Sequence, residues 1–378
     1  MEQRNKKIYI EILRIIACFC VIFNHTSYDG FFLFSNYSPL NIKFWIYCGL
    51  SIFCKFSVPM FFTISGALLL NKEESMKTVF TKRVLKNVIS LVFFSFVYYY
   101  FFNVLYNINH ISFDNIQSFF VSIFTIINIS FENIFDCLIK IYSNTVTTHL
   151  WFMYSYIAFL VALPVLRILV KKMDNKHFAY IALLALIFDG IIPILDFLIW
   201  KGQYSLSSTI KPGWLITSIV LYPCLGYYFE NRLEIKEAKK YIPILWVTNI
   251  ITVVLSCAMT VYQYKLTGII DEETSQTFFS SFTIINLITV YITIKFLSLS
   301  YKDRRLKTKI ILTMGECSYG VYQLHQIVII LLNRYLVDFS KMLFNDMFAE
   351  LVSCVLILII YIIITYILKQ IPIIKKVL

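Results

Sequence analysis

Two residues whose types and spacing could do chemistry, Arg14 and His25, bracket the almost wholly apolar stretch RIIACFCVIFNH. On a helix, eleven steps of about 100° bring them within about 20° of one face, roughly 16 Å apart along the axis. Glu11 lies one turn before Arg14 on nearly the same face. A guanidinium can hold an anion, and an imidazole can take a proton near neutral pH. Blander roles stay open. Arg14 can snorkel to headgroups or close an ion pair with Glu11, and His25 can be a wetted residue at a helix end. An arginine at the centre of a span costs about 2.5–3.5 kcal/mol on insertion scales. Polar groups sharing one stripe imply a polar cavity.

Other polar residues fall within or beside apolar runs. Asp189 and Asp196 are seven residues apart, nearly on one face, and read as packing against polar groups of other helices. A proton or ion path through them is the transporter alternative. Lys295 lies where it can snorkel. His149, in THLWFM, neighbours Trp151, an interfacial anchor by type. His325, in SYGVYQLHQ, reads as a core histidine or a site residue, nearer the cytoplasmic end of its helix. His110 and His177 fall in loop or boundary positions. No ligand spacing suggests a metal, and no GxSxG elbow, Walker loop or dinucleotide fingerprint occurs.

The elements that must position these residues are membrane helices. The 378 residues are 59% hydrophobic with a mean hydropathy of +0.73, well above soluble domains. A span needs about 20 apolar residues, and ten such runs occur, near 8–28, 47–70, 88–107, 149–170, 178–200, 213–230, 241–264, 278–299, 318–337 and 348–368. The second is interrupted by Lys55 and Pro59 and reads as a short crossing after an interfacial piece. The expected fold is therefore all-α: a polytopic bundle of about ten helices forming one domain over 1–378. No signal peptide is expected at its start. Basic clusters around Lys6, Lys82, Arg83, Lys171, Lys239, Arg304 and Lys375 alternate with sparsely charged connections, which places both termini in the cytoplasm. The net charge of +12 is thus topological and argues against nucleic acid. The segment 108–148, with IQSFFVSIFTII, is too short to cross and reads as amphipathic or re-entrant. The nine cysteines include no CxxC pair and imply neither a disulfide framework nor a zinc site, although Cys48 and Cys54 could pair.

Four stretches in order resemble the acyltransferase-3 family of integral membrane acyltransferases. They are the Arg14–His25 spacing, KFSVPMFFTISGALL from Lys55 followed by basic FTKRVLK, HLWFM from His149, and SYGVYQLH from Ser318 to His325. Lys55 stands where many members carry arginine. Members often carry a further extracytoplasmic domain, so ending at Leu378 suggests a stand-alone member.

The resemblance implies transfer of an acyl group, usually acetyl, from cytoplasmic acyl-coenzyme A to hydroxyls of cell-envelope glycans. No bound cofactor is implied; acetyl-coenzyme A is the donor substrate, and the partners are a glycan or lipid-linked glycan acceptor and membrane lipids. The implied site has Arg14, with Lys82 and Arg83, at the donor's anionic end, Glu11 steadying Arg14, and His25 as general base or acylated nucleophile. Ser65 and Gly66 would allow close helix approach, His149 and Trp151 would line the acceptor entrance, and Tyr319 and His325 the donor side. The location implied is a bacterial plasma membrane. A transporter or flippase for a glycan or amino acid, using the same stripe, is the alternative function.

Overall fold

The computed structural model describes residues 2–107, 116–127, 130–269, 276–301 and 305–378, without the side chains of 2–7, 116, 117, 119, 120, 123, 124 and 305. His110, Lys302 and Arg304 lie outside the described residues. All regular structure among the described residues is helical. In chain order the principal helices are α1 (Glu2–Asn24), α2 (Ile42–Cys54), α3 (Ser57–Leu69), α4 (Met76–Tyr106), α5 (Ile116–Ile127) and α6 (Phe131–Tyr142). There follow α7 (Thr148–Lys172), α8 (Asn175–Trp200), α9 (Gly213–Ile216), α10 (Leu221–Asn231) and α11 (Ile235–Thr267). The chain closes with α12 (Thr283–Ser300), α13 (Arg305–Lys341), α14 (Asp346–Leu368) and α15 (Pro372–Val377).

Seven segments among the described residues are long and apolar enough to cross a bilayer: α2 with α3, α4, α7, α8, α11, α12 and α14. The chain is a multi-pass membrane protein. Three expected spans fall outside that set for physical reasons. In α1, Lys7, Glu11 and Arg14 crowd one end. In α13, Ser318, Gln323, His325 and Gln326 interrupt the apolar run, and the helix is longer than expected, 37 residues against 318–337. His325 consequently lies in its middle, not near an end. The expected 213–230 span is broken: the 217–220 stretch separates α9 from α10, whose 11 residues reach about 16 Å, roughly half the hydrocarbon thickness. α5 and α6 have 12 residues each, too few to cross singly.

The chain forms two compact units, residues 1–73 with 163–367, and residues 74–162 with 368–378. At the centre of the first unit is α1, with Leu13, Ala17, Ile22 and Phe23 fully buried. Around it pack α3, α12 and α13. The two long helices least suited to lipid, α1 and α13, thus shield each other's polar groups. In α11 the amphipathic order is inverted: Asn249, Thr252, Ser256, Thr260 and Gln263 are buried on one face, whereas Ile244, Val247, Ile251 and Val254 are exposed. That arrangement suits a helix whose solvent is hydrocarbon.

Close backbone approach joins α3 to α10. A Cβ on Gly66 would lie 2.1 Å from the Pro223 carbonyl oxygen, and one on Gly226 would lie 1.9 Å from that of Thr63. Only glycine fits at either crossing. In the second unit, Tyr99 donates to Asp136, and Ser90 Oγ donates to the Val377 carbonyl at 2.8 Å, fixing α6 and α15 to α4.

Candidate active site

His25 follows the last residue of α1. The helix stops there because its closing turn tightens: the amides of His25 and Thr26 bond the carbonyls of Ile22 and Phe23. Thr26 Oγ1 donates to the Phe23 carbonyl at 2.7 Å and accepts from the Phe31 amide at 3.1 Å. Gly30 is packed so tightly beneath this turn that a Cβ would meet Thr26 Oγ1 at 2.4 Å and Glu350 Cγ at 2.5 Å. The imidazole is therefore held by a fixed loop and remains half-buried.

His325 of α13 lies against it, with ring centroids 4.9 Å apart. Some 300 residues separate them in sequence, yet they form one site. Nδ1 of His325 is 2.6 Å from the Tyr322 carbonyl, which can only accept, so Nδ1 carries the proton and neutral His325 presents Nε2 as an acceptor. Tyr361 of α14 inserts into the α13 ladder at this point. Its hydroxyl accepts from the Val328 amide at 2.6 Å and shares its single proton between the carbonyls of Leu324 and His325. A side chain so placed fixes the local bend of a helix, and hence the tilt of the His325 ring.

Lys55 occupies the break between α2 and α3. The carbonyls freed there are covered by asparagines: Asn24 Nδ2 donates to Cys54 O at 3.3 Å and Asn286 Nδ2 to Ile52 O at 3.2 Å, while Asn249 orients Asn286 at 2.7 Å. A broken helix is tolerated at membrane depth when its backbone is satisfied in this way. The ammonium of Lys55 sits 4.6 Å from the Phe31 ring centroid and donates to Gln276 Oε1 at 2.6 Å, while the preceding Cys54 is bonded by Asn24, the neighbour of His25.

Towards the other end of α1, Arg14 Nη1 bonds both carboxylate oxygens of Glu11, at 2.8 and 3.0 Å. Glu11 is buried against Gly315 of α13, where a Cβ would stand 2.1 Å from Oε2. Arg14 keeps a quarter of its side chain exposed, so the carboxylate holds it without covering it. One turn earlier, Tyr9 donates to Glu230, which Lys295 approaches at 3.4 Å. Lys295 thus does not snorkel freely; it is part of a buried polar cluster.

Between the two polar ends runs a narrow crevice lined by Cys18, Val21, Ile22, Phe61, Val321, Tyr322 and His325, with no room for a water-sized sphere. A polar cavity along the Arg14–His25 stripe was the expectation; this crevice, beside Cys18 and Ile22, has a largely apolar lining. Here the α1 turn from Cys18 to Ile22 meets Phe61 of α3 and Val321 and Tyr322 of α13.

The remaining expected site residues divide between the units. Ser65 of α3 and Tyr319 of α13 are half-buried in the first. In the second, Arg83 is forked onto Glu74 through Nε at 2.8 Å and Nη2 at 2.5 Å, while Lys82 is exposed. His149 is buried, with Nδ1 2.9 Å from Thr147 Oγ1 and its ring edge-on to Tyr98 at 4.4 Å, whereas Trp151 is 44% exposed. Asp189 pairs with Lys211 at 2.5 Å, and Asp196 accepts from the Leu206 amide at 2.7 Å; both partners lie beyond the end of α8 and not on other helices. The cysteines are all free and buried, so Cys48 and Cys54 do not pair.

Sequence reasoning missed Gly315, Tyr361, Gln276 and the asparagines over the helix break. Their types carry no signal alone; each matters only through a neighbour brought in from far along the chain.

Residues 7–369, nearly the whole chain, match the model of the acyltransferase-3 family, described as an acyltransferase domain. No curated protein and no solved structure matches the chain significantly.

Proposed function

Because the chain belongs to the acyltransferase-3 family, we propose that it transfers an acyl group, acetyl in the first instance, from cytoplasmic acyl-coenzyme A to a hydroxyl of a cell-envelope glycan. The observation that carries this reading is the ordered set along α1: a tethered guanidinium, an apolar crevice, then two imidazoles and an ammonium at the far end.

Arg14 binds the anionic end of the donor, its planar fork suited to phosphate. The crevice, widened when the donor enters, takes the largely uncharged pantetheine arm, and the thioester reaches His25. His25 takes the acceptor's hydroxyl proton as the oxygen attacks the thioester carbonyl. The Lys55 ammonium stabilises the resulting oxyanion, as a fixed positive charge does best in a site from which water is excluded. Collapse breaks the carbon–sulfur bond, and the imidazolium returns the proton to the departing thiolate, leaving an ester and free coenzyme A. His325, its tautomer set by Tyr322, orients and polarises the His25 ring.

A bacterial plasma-membrane location with both termini inside is supported by the asymmetry of basic residues. The test is thioester consumption by purified protein supplied with acetyl-coenzyme A and a glycan acceptor. His25→Ala is expected to abolish transfer while the protein inserts normally; undiminished transfer by that variant removes His25 from the chemistry.

A further inference from the structure

The segment after α8 builds a cavity that the mechanism above leaves unused. Lys201 and Gly202 take left-handed conformations, φ 52° and 84°, and turn the chain back over the helix end. Asp196 then captures the Leu206 amide, and Lys211 reaches Asp189, so the returning strand is pinned at two points. Beneath it lies a cavity of about 330 Å³, within the range of small-molecule sites. Its floor is apolar, with Phe188, Pro193 and Phe197, and its rim polar, with Asp196, Tyr204, Ser208 and Lys211. Phe197 is backed by the buried cluster of Ile194, Met259, Phe278 and Phe282, which braces the floor by packing.

Charge does not select an ion here. Asp189 is answered by Lys211 and Asp196 by a backbone donor. Each nevertheless keeps capacity: a carboxylate accepts at about four positions and an ammonium offers three donors. An apolar floor under a rim of mixed donors and acceptors fits a ring with C–H faces and equatorial hydroxyls. A short chain of bonded neighbours links the cavity wall to the surroundings of His25. Thr277 lines the cavity, the adjacent Gln276 holds Lys55, and the Cys54 carbonyl before Lys55 is bonded at 3.3 Å by Asn24, the residue before His25.

We propose that this cavity is the subsite for a sugar ring of the acceptor, seated so that the Gln276–Lys55 bridge connects it to His25. The proposal rests on the acyl-transfer reading for its direction, but binding is measurable without transfer. The native cysteines are all buried, and Ser208 is exposed. Ser208→Cys in the full-length protein in nanodiscs therefore offers one accessible thiol to a polar maleimide. Methyl β-glucoside and methyl N-acetyl-β-glucosaminide are the probes, and Ser300→Cys, away from the cavity, is the control. A glycoside at ten times its dissociation constant slows labelling about tenfold by mass action, and leaves the control unchanged. In the transfer assay Tyr204→Ala raises the acceptor KM and spares the donor KM. Protection without any transfer by the wild type supports the subsite and sinks the enzymatic reading. Transfer with no protection by either glycoside, and a wild-type acceptor KM in Tyr204→Ala, overturns the subsite and leaves the enzyme standing. No protection and no transfer removes both.

Discussion

Gly315→Ala tests whether Glu11 is positioned by α13. The added Cβ would stand 2.1 Å from Glu11 Oε2, 2.9 Å from Cδ and 2.6 Å from Cβ. The carboxylate can swing aside, but the Glu11 Cβ is fixed to the backbone of α1. Bringing that contact from 2.6 Å to between 3.0 and 3.4 Å requires the helices to part by 0.4 to 0.8 Å. Overpacking of this kind costs about 1–3 kcal/mol. Glu11 also loses its grip on Arg14, so the donor KM rises about tenfold, equivalent to about 1.4 kcal/mol, with kcat nearly intact because His25 is three turns away. The decisive measurement is the same substitution in a Glu11→Gly background. With no Cβ at 11 the clash disappears, and alanine is the better helix former by about 1 kcal/mol. Gly315→Ala should then be neutral or stabilising in thermal unfolding, while the donor KM stays poor because Arg14 has no partner. Equal destabilisation in both backgrounds would show that Gly315 is required for some other contact, and the reasoning fails.

Tyr361→Phe removes the hydroxyl that Val328 donates to, leaving a buried amide short of its partner at a cost of about 1–3 kcal/mol. Its kinetic signature is a fall in kcat with both KM values unmoved, since only the tilt of His325 changes. Gly66→Ala places a Cβ 2.1 Å from a backbone oxygen of Pro223, which cannot move aside as a side chain can; monodisperse protein should not be recovered in detergent. At the start of α8, the Asp174 carboxylate accepts from the amides of His177 and Lys176, and these bonds, with the nearby His177 ring, hold its pKa below the ordinary carboxylate range. A depressed folded pKa gives stability that is present above the unfolded value, about 3.9, and is lost as pH falls through the folded one. The thermal advantage of wild type over Asp174→Asn should accordingly be seen at neutral pH and vanish in acid.

What the sequence made legible was local. The Arg14–His25 face follows from helical periodicity, and the break near Lys55 from a charge and a proline inside an apolar run. The Glu11–Arg14 pair follows from one-turn spacing and is present at 2.8 Å. Gly66 beside Ser65 announced a close crossing by size alone, though not that Gly226 would be its counterpart. Nothing local could place His325 on His25, because that contact depends on how two helices at opposite ends of the chain register against each other. The same limit explains Asp189 and Asp196: their partners come from the segment that folds back after α8, and turn geometry of that kind leaves no period to read. The polar cavity was inferred from the charged ends of α1, whereas its interior is set by Phe61, Val321 and Tyr322 from other helices.

The lining of that crevice bears on the two functional readings. A route for ions or a flippase path for a glycan must replace the hydration of its cargo along its whole length, with polar groups or water at each step. In the crevice beside Cys18 and Ile22 the lining is aliphatic, aromatic and thiol, joined by Tyr322 and His325, with no room for a water-sized sphere. A thioester arm needs only charge recognition at its anionic end and polar chemistry at its reactive end; the crevice between can be apolar and gains from the burial. The polar groups of α1 are distributed in this way: Glu11 and Arg14 at one end, His25 with His325 and Lys55 at the other. If the stripe conducted cargo, substitution of Cys18 or Ile22 by serine or threonine, adding polarity midway, would aid passage. If it houses an acyl donor, the same substitutions leave unpaired hydroxyls against the arm and raise the donor KM. Opposite signs are expected from one pair of variants, read as cargo flux into proteoliposomes for the first reading and as donor KM of the purified protein for the second.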